Sequence, residues 1–258
     1  MKPFKIDLPD CERIELHIFA DEHLGDSQSN MKYLLERIEH VAKTENAYCV
    51  LGGDLMDMAI ASSIGDIYSQ ELSPMQQLRE CSSIFAPVAS KVLCALNGNH
   101  ERRQYKTNGI DMTYLMCKQL GIEDKYTPDT GLMFIRFGKD DRRGHHGRRI
   151  CYTAYLTHGS GGGRKEGGKL QRVADLASIA DADIYIHNHT HMPGAFRRRF
   201  YRVDCANSSV ALVEKLFVSS AGNLEYGGYG DVGGFTPSSI KSPVIYLSGR
   251  RKEAWAEV

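Results

Sequence analysis

Residues 47–57 read AYCVLGGDLMD. Ala47 to Leu51 is a short, continuously apolar run, the pattern of a strand buried on both faces of a parallel sheet. It stops at Gly52-Gly53, which permit a tight turn and close approach of a ligand. The turn delivers Asp54, with Asp57 three residues further on. Upstream, Ile14 to Ala20 (IELHIFA) reads as a strand that stops at Asp21-Glu22-His23. Downstream, Lys91 to Leu96 (KVLCAL) stops at Asn97-Gly98-Asn99-His100-Glu101. Between and after these strands the period changes. Met31 to Val41 carries Leu34, Leu35, Ile38 and Val41 at helical spacing. Pro74 to Phe85 reads as a helix with Ser73 as N-cap and Pro74 in its first turn, and Ile110 to Leu120 as another. The β-α-β-α-β-α order predicts a parallel sheet with helices outside.

The second half is richer in strands. Leu132 to Phe137 and Arg149 to Leu156 alternate around a charged turn, Lys169 to Ile179 reads as a short helix, and Asp183 to Ile186 as a strand. Phe196 to Val203, Ala211 to Ser219 and Val244 to Leu247 are further strands. The expected fold class is α/β: two mixed β-sheets packed face to face, with helices on the outer faces. The sequence shows no Pro/Ser linker, internal repeat or low-complexity segment. The expectation is one domain over 1–258, in which 222–258 form a Gly/Tyr-rich tail and a final strand.

Composition narrows the function classes. The chain has 258 residues and is 42% apolar, enough for a full core. Lys+Arg and Asp+Glu both total 32, so global charge argues for neither nucleic acid nor an acidic membrane. The seven cysteines lack CxxC spacing and several lie in apolar runs. They read as reduced thiols in a cytoplasmic protein rather than a disulfide framework or a zinc knuckle. The N-terminus, MKPFKIDLPDCERIEL, has no apolar h-region, and no stretch approaches the ~20 apolar residues of a spanning helix.

Five strand-end segments carry the chemistry: Asp21-Glu22-His23, Gly53-Asp54-Leu55-Met56-Asp57, Gly98-Asn99-His100-Glu101, Thr157-His158-Gly159 and Asn188-His189-Thr190-His191. Each supplies Asp, Asn or His, the oxygen and nitrogen ligands that suit manganese, iron or zinc. A single such segment is most simply a turn or a satisfied buried polar group. Five in this order point to a two-metal hydrolytic site. Asp21 and His23 occupy alternate positions and can point to one side; the i, i+2 spacing of His189 and His191 does the same.

These segments resemble the calcineurin-like metallophosphoesterases, whose pattern is D-x-H, G-D-x-x-D, G-N-H-[DE], a lone His, then G-H-x-H. The match spans roughly residues 13 to 192, with Asn188 where the family has Gly, a change that touches backbone conformation rather than a ligand. The resemblance implies one metal held by Asp21, His23, Asp54 and His191, and a second held by Asp54, Asn99, His158 and His189, with Asp54 bridging. It implies two divalent ions, manganese first, with iron, zinc, nickel or magnesium as alternatives, and a bridging water made nucleophilic by both. His100 is then placed beside the phosphate, to stabilise the transferring phosphoryl group or protonate the leaving oxygen, with Asp57 as its orienting partner.

Other features have bland and sharp readings. Glu22 reads as solvent-facing, His17 and His40 as surface residues, and His187 as a sheet residue with a possible role beside the site. Arg142, Arg143, Arg148 and Arg149 flank His145-His146 at a hairpin turn. Arg197, Arg198, Arg199 and Arg202 alternate with Phe196, Phe200 and Tyr201. Both clusters read first as solvated edges whose charge blocks edge-to-edge pairing. The sharper reading is a basic, aromatic-interleaved patch for a phosphate backbone, with Arg199 touching substrate. The glycine-rich run 159–168 follows His158 and is no Walker loop; it reads as a connection, or as a lid from which Arg164 or Lys165 reaches phosphate. Tyr226 or Tyr229 of the tail are candidates for base stacking. The resemblance implies that Asn99 faces substrate as well as metal.

The leading expectation is a phosphodiesterase on nucleic acid or nucleotide-type substrates, because the Asp21–Gly25 and Gly53–Asp57 runs resemble the DNA-repair exonuclease branch. The alternatives are a phosphomonoesterase on a small metabolite or phosphoprotein and, in another class, a non-catalytic scaffold. The retained ligand set weighs against the scaffold.

Overall fold

The computed structural model describes residues 1–61, 63, 67–138, 149–161 and 163–258. In chain order its strands are β1 Lys2–Leu8, β2 Arg13–Phe19, β3 Ala47–Leu51, β4 Val92–Leu96, β5 Tyr126–Thr127, β6 Thr130–Phe137, β7 Cys151–Thr157, β8 Ile184–His187, β9 Gly194–Asp204, β10 Ser209–Ser219, β11 Val244–Ser248 and β12 Ala254–Glu257. The longer helices are α1 Met31–Lys43, α2 Pro74–Phe85, α3 Asn99–Asn108, α4 Met112–Gln119 and α5 Glu166–Asp175.

Two six-stranded sheets result, in the orders β1-β6-β7-β8-β10-β9 and β12-β11-β2-β3-β4-β5. In the second, β2, β3, β4 and β5 run parallel, and β11 closes antiparallel on β2. In the first, β7, β8 and β10 run parallel. Both sheets are therefore mixed, as expected.

Strand alternation explains how the sheets stack. Ile14, Leu16 and Ile18 of β2 point inward with Val50, Cys94 and Leu96, against Met133, Ile135, Ala154, Leu156, Ile184, Ile186 and Val218 of the other sheet. The opposite face of the parallel strands, with Phe19, Cys49, Leu51 and Ala95, packs on Leu34, Ile38, Leu78, Phe85 and Met116 of the helices. A smaller cluster of Tyr155, Val173, Leu176, Tyr185 and Phe217 seats α5 on the outside of the other sheet. Parallel strands buried on both faces read as continuous apolar runs, and β4, VLCAL, is buried at every position.

Helix starts follow side-chain capping. Ser73 and Gln76 form the capping box of α2. Asn30 caps α1, and Asp111 caps α4, each accepting from a backbone N–H. The helix expected over Lys169 to Ile179 starts earlier, at Glu166, and tightens into a 3₁₀ turn over Leu176–Ser178.

β1, β5, β12 and α3 fall outside the sequence expectations. β1 contains Pro3 and two lysines and buries only Phe4 and Leu8, which suits an edge strand. Among the described residues no helix is long and apolar enough to cross a membrane. The turn carrying Arg142, Arg143, His145, His146 and Arg148 lies outside the described residues.

Candidate metal centre

The carboxyl ends of β2, β3, β4, β7 and β8 converge at one end of the sandwich, where α/β sheets bind ligands. All seven expected ligands follow those ends. The donor atoms of Asp21, His23 and His191 lie within 4.8 Å of one another, as do those of Asp54, His158 and His189. Asn99 joins the second group, its Oδ1 3.0 Å from His158 Nε2.

The backbone is bent to deliver them. Asp21, His23, Asp54, His189 and His191 all have positive φ, between 47° and 69°. For a non-glycine residue the left-handed region costs roughly 1–2 kcal/mol, and such strain concentrates at functional sites. Cross-strand bonds fix these turns: Asp21 N–H donates to Gly53 O and His23 N–H to Asp54 O, both at 3.0 Å. Gly98 has no alternative, because a Cβ there would collide with the Asp54 carboxylate and amide.

Hydrogen bonding leaves the metal-facing atoms exposed to one another. Asp21 Oδ2 accepts from His189 N–H at 2.9 Å and from the Ser220 hydroxyl at 3.3 Å. Its Oδ1 is buried without a hydrogen bond and lies 3.3 Å from His191 Nε2. His158 Nδ1 donates to Gly52 O at 2.8 Å, which turns its Nε2 toward Asp54 Oδ2 at 3.2 Å. His23 Nδ1 lies 3.2 Å from Asp57 Oδ1, which turns its Nε2 to within 3.3 Å of His191 Nε2. Carboxylate oxygens and imidazole nitrogens converging in a buried site suit cations between them, so the donor set fits divalent metal ions.

The same packing sets the charges. Asp54 is 1% exposed. Burial alone would raise its pKa, yet the imidazoles of His158 and His100 hold it well below the ordinary carboxylate range. Burial would lower His158, but Asp54 beside it lifts it to about 10 in the metal-free protein. Burial lowers His23 and His189, keeping their lone pairs available.

His100 sits beside this pair. Its Nδ1 is 2.9 Å from Asp57 Oδ1 and 2.8 Å from Asp57 O, so the ring donates there and presents Nε2 to the site, 3.8 Å from Asp54 Oδ2. Asp57 Oδ1 thus lies within hydrogen-bond reach of the His100 and His23 rings alike. Arg103, one turn along α3, places Nη2 3.0 Å from His100 Nε2. Nothing in the motif marks this arginine; the i, i+3 spacing on a helix is the only signal.

Glu101 is the second residue that motif reading undervalues. It is buried and accepts backbone N–H bonds from Asp54, Met56 and Gly98, all at 3.0 Å. Burial, then the Asp54 charge, pushes its carboxyl up to about 7.

Two expectations, for Glu22 and His17, are corrected. Glu22 is fully buried, not solvent-facing, and pairs with Arg37 at 2.9 Å; a carboxylate next to a buried ligand needs its own cation. His17 is buried on β2 against Glu15, whereas His40 is exposed. Asn188 is not left-handed; its amide donates to Gly52 O and Thr157 O, tying β3 to β7. His187 is buried, packs against Gly159, and is lowered to about 4 by burial.

The flanking loops are placed as follows. Arg164 is exposed and donates to Gly233 O at 2.8 Å, joining the glycine-rich loop to the tail. The tail passes the site: Asn223 N–H donates to Asp21 O, and a Cβ at Gly222 would lie 2.5 Å from His191 Nδ1. Tyr226 is exposed; the Tyr229 side chain lies outside the described residues. Arg199 lies on the edge hairpin, 3.7 Å from Glu214.

No family model matches the chain, and no curated protein matches it in sequence. Solved structures do align along its length. A metallophosphoesterase from Sphaerobacter thermophilus is 12% identical with a TM-score of 0.42, covering 92% of this chain and 84% of that one. A predicted phosphoesterase from Streptococcus pneumoniae is 12% identical at TM-score 0.38, covering 96% and 99%. Vps29 from Entamoeba histolytica in complex with zinc is 12% identical at TM-score 0.40, covering 95% and 97%.

Proposed function

We propose that this chain is a calcineurin-like, dinuclear metal-dependent phosphoesterase, and within that class a phosphodiesterase acting on nucleic acid or nucleotide-type substrates. One observation carries the reading: the ligand groups Asp21–His23–His191 and Asp54–His158–His189 adjoin through His23, whose donor atom also lies within 4.8 Å of those of Asp54 and His100, and His100 Nε2 stands 3.8 Å from Asp54 Oδ2. Asp21, His23, Asp54 and His191 hold one ion, and Asp54, Asn99, His158 and His189 the other. When bound, the two ions supply Lewis acidity to the phosphoryl group and to the attacking water.

The chain's own groups do the rest. His100, oriented through Nδ1 by Asp57, presents Nε2 to the phosphoryl or leaving oxygen. Arg103 offers a guanidinium to the phosphoryl oxygens from the same side. Half-exposed His191 and Asn99 mark the open side through which substrate reaches buried Asp21 and Asp54. Arg164 and Arg199 stand as proposed substrate contacts. Manganese is the proposed metal, and the seven free cysteines suit a cytoplasmic setting.

The test is metal analysis joined to turnover. Purified protein loaded with manganese is expected to hold ions shared at Asp54 and to hydrolyse bis-p-nitrophenyl phosphate and single-stranded DNA. Asp54→Ala is expected to lose both of the shared ions and nearly all activity. Full activity with one ion or none would overturn the dinuclear reading; hydrolysis of monoesters alone would favour the phosphomonoesterase, and metal binding without hydrolysis the scaffold.

A further inference from the structure

A second cluster of ligating side chains lies away from the strand ends, on the outer face of β2. Glu15 and His17 are two residues apart on the strand and therefore share that face. His40 reaches them from the third turn of α1. Glu15 Oε2 lies 3.1 Å from His17 Nε2 and 2.8 Å from His40 Nε2, and all three donor atoms fall within 4.8 Å of one another. We propose that Glu15, His17 and His40 form a third divalent-metal site, of zinc type, with water completing the shell, and that it pins β2 to α1.

The spacing supports this. Zinc takes nitrogen and carboxylate oxygen at ~2.0–2.2 Å in tetrahedral geometry, which sets neighbouring ligand atoms roughly 3.3 Å apart. The expected catalytic ligands in the same molecule stand 3.0 to 3.3 Å apart. The Glu15 cluster differs by only a few tenths of an ångström on its two short edges. Two imidazoles and one carboxylate with a fourth place for water is also a ligand set that zinc accepts.

The surroundings permit a cation. Arg37 of α1 is already committed: it pairs with buried Glu22, donates to Ile18 O, and lies over the Phe19 ring. The ion pair with Glu22 offsets part of the positive charge that Arg37 sets beside His17. His17 is buried beneath the helix while the His40 side chain is half exposed, so an ion can enter from solvent beside His40 and be held on a rigid strand. The two imidazoles leave the Glu15 oxygen they now share and turn their Nε2 lone pairs to the ion.

Zinc content measured after metal loading and desalting tests this independently of the catalytic pair. The expected counts are three ions for the parent chain, two for His40→Ala with phosphodiester hydrolysis retained, and one for Asp54→Ala. Zinc is expected to raise the melting temperature of Asp54→Ala and to leave that of the Asp54→Ala/His40→Ala double variant unmoved. Cobalt(II) in Asp54→Ala should give the visible absorption of a tetrahedral site, lost in the double variant. Equal zinc counts in the parent and His40→Ala would overturn the third site. A parent count of three with Asp54→Ala also at three would instead overturn the shared catalytic pair.

Discussion

Asp57 holds two imidazoles on one carboxylate. Its Oδ1 faces His23 Nδ1 and His100 Nδ1, and its Oδ2 accepts from the Gln70 amide at 2.8 Å. Burial would raise its pKa, but both histidines together hold it far below the ordinary range. Asp57 thus orients the His23 and His100 rings at once. Asp57→Asn is expected to weaken metal binding by roughly 10–100-fold, as outer partners of ligating histidines do, and to lower turnover in addition, read from metal titration and kcat together. His100→Gln should separate the two effects: metal content unchanged, kcat lower by roughly 10²–10⁴-fold on a substrate with a poor leaving group, and a smaller loss with p-nitrophenol. Equal losses on both substrates would leave His100 only a charge-stabilising role. At this scale the convergence of the candidate donors was legible because each motif pairs a strand end with a donor at fixed local spacing. Glu22, Arg103 and Asn188 were not. Their roles depend on partners 15 or more residues away or on a helical turn, and no local pattern names Arg37 as the partner of Glu22.

Helix α3 begins inside the ligand set, at Asn99, and has no apolar stripe. Its sequence NHERRQYKTN offers no period to read, and only Glu101 and Gln104 are buried. What organises it is Glu101, which gathers three backbone N–H groups from the β3 and β4 turns. An unmade bond to a buried donor costs about 1–3 kcal/mol. Glu101→Ala is therefore expected to destabilise the fold by several kcal/mol in denaturant unfolding and to lower metal affinity through Asp54; Glu101→Gln, which keeps one acceptor, should cost less. If Glu101→Ala unfolds like the parent, the three N–H groups have found other acceptors. The β2–α1 contact makes a separate prediction. Burial lowers His17 from 6.5 to about 4, so in the metal-free protein the folded state keeps it neutral where the unfolded chain takes up a proton. A depressed pKa gives stability that is present above the unfolded value and lost as pH falls through the folded one. Stability should thus decline between about pH 6.5 and pH 4, by at most roughly 3 kcal/mol for this group. His17→Gln should flatten that part of the pH profile; an unchanged slope would assign it to other groups. The strands β2, β3 and β4 were readable because two-sided burial writes itself as an apolar run, while β1 and β12, at sheet edges, bury too little to do so.

Across the whole molecule, the sandwich places every catalytic candidate at one end and a basic ribbon at one edge. The β9–β10 hairpin has eleven residues on each strand, against four in β8, so its outer half runs beyond the sheet. Its arginines are not equivalent. Arg197 donates to Glu214 at 2.9 Å and to Ala254 O at 3.0 Å, bridging to β12 of the other sheet. Arg198 lies over the Phe200 ring, and Arg202 stands 3.9 Å from Asp183. Arg199 has the most open side chain of the three ion-paired arginines, 67% exposed, and lies 3.7 Å from a Glu214 already taken by Arg197. It sits five residues from Gly194, roughly 17 Å along the strand at the usual rise, a distance that an extended nucleic acid seated on the metals spans and a small phosphoester does not. Arg199→Ala is therefore expected to weaken DNA binding and to reduce the salt slope of log K by about 0.7 for single strands or 0.9 for duplex, while hydrolysis of bis-p-nitrophenyl phosphate is unchanged. Arg197→Ala should act differently, loosening the tie between the sheets and lowering the melting temperature on every substrate alike. An Arg199→Ala protein that binds DNA with the parent's affinity at every salt concentration would make the ribbon a charged edge that guards against strand pairing, and would make a small phosphoester the better substrate for the two-metal site.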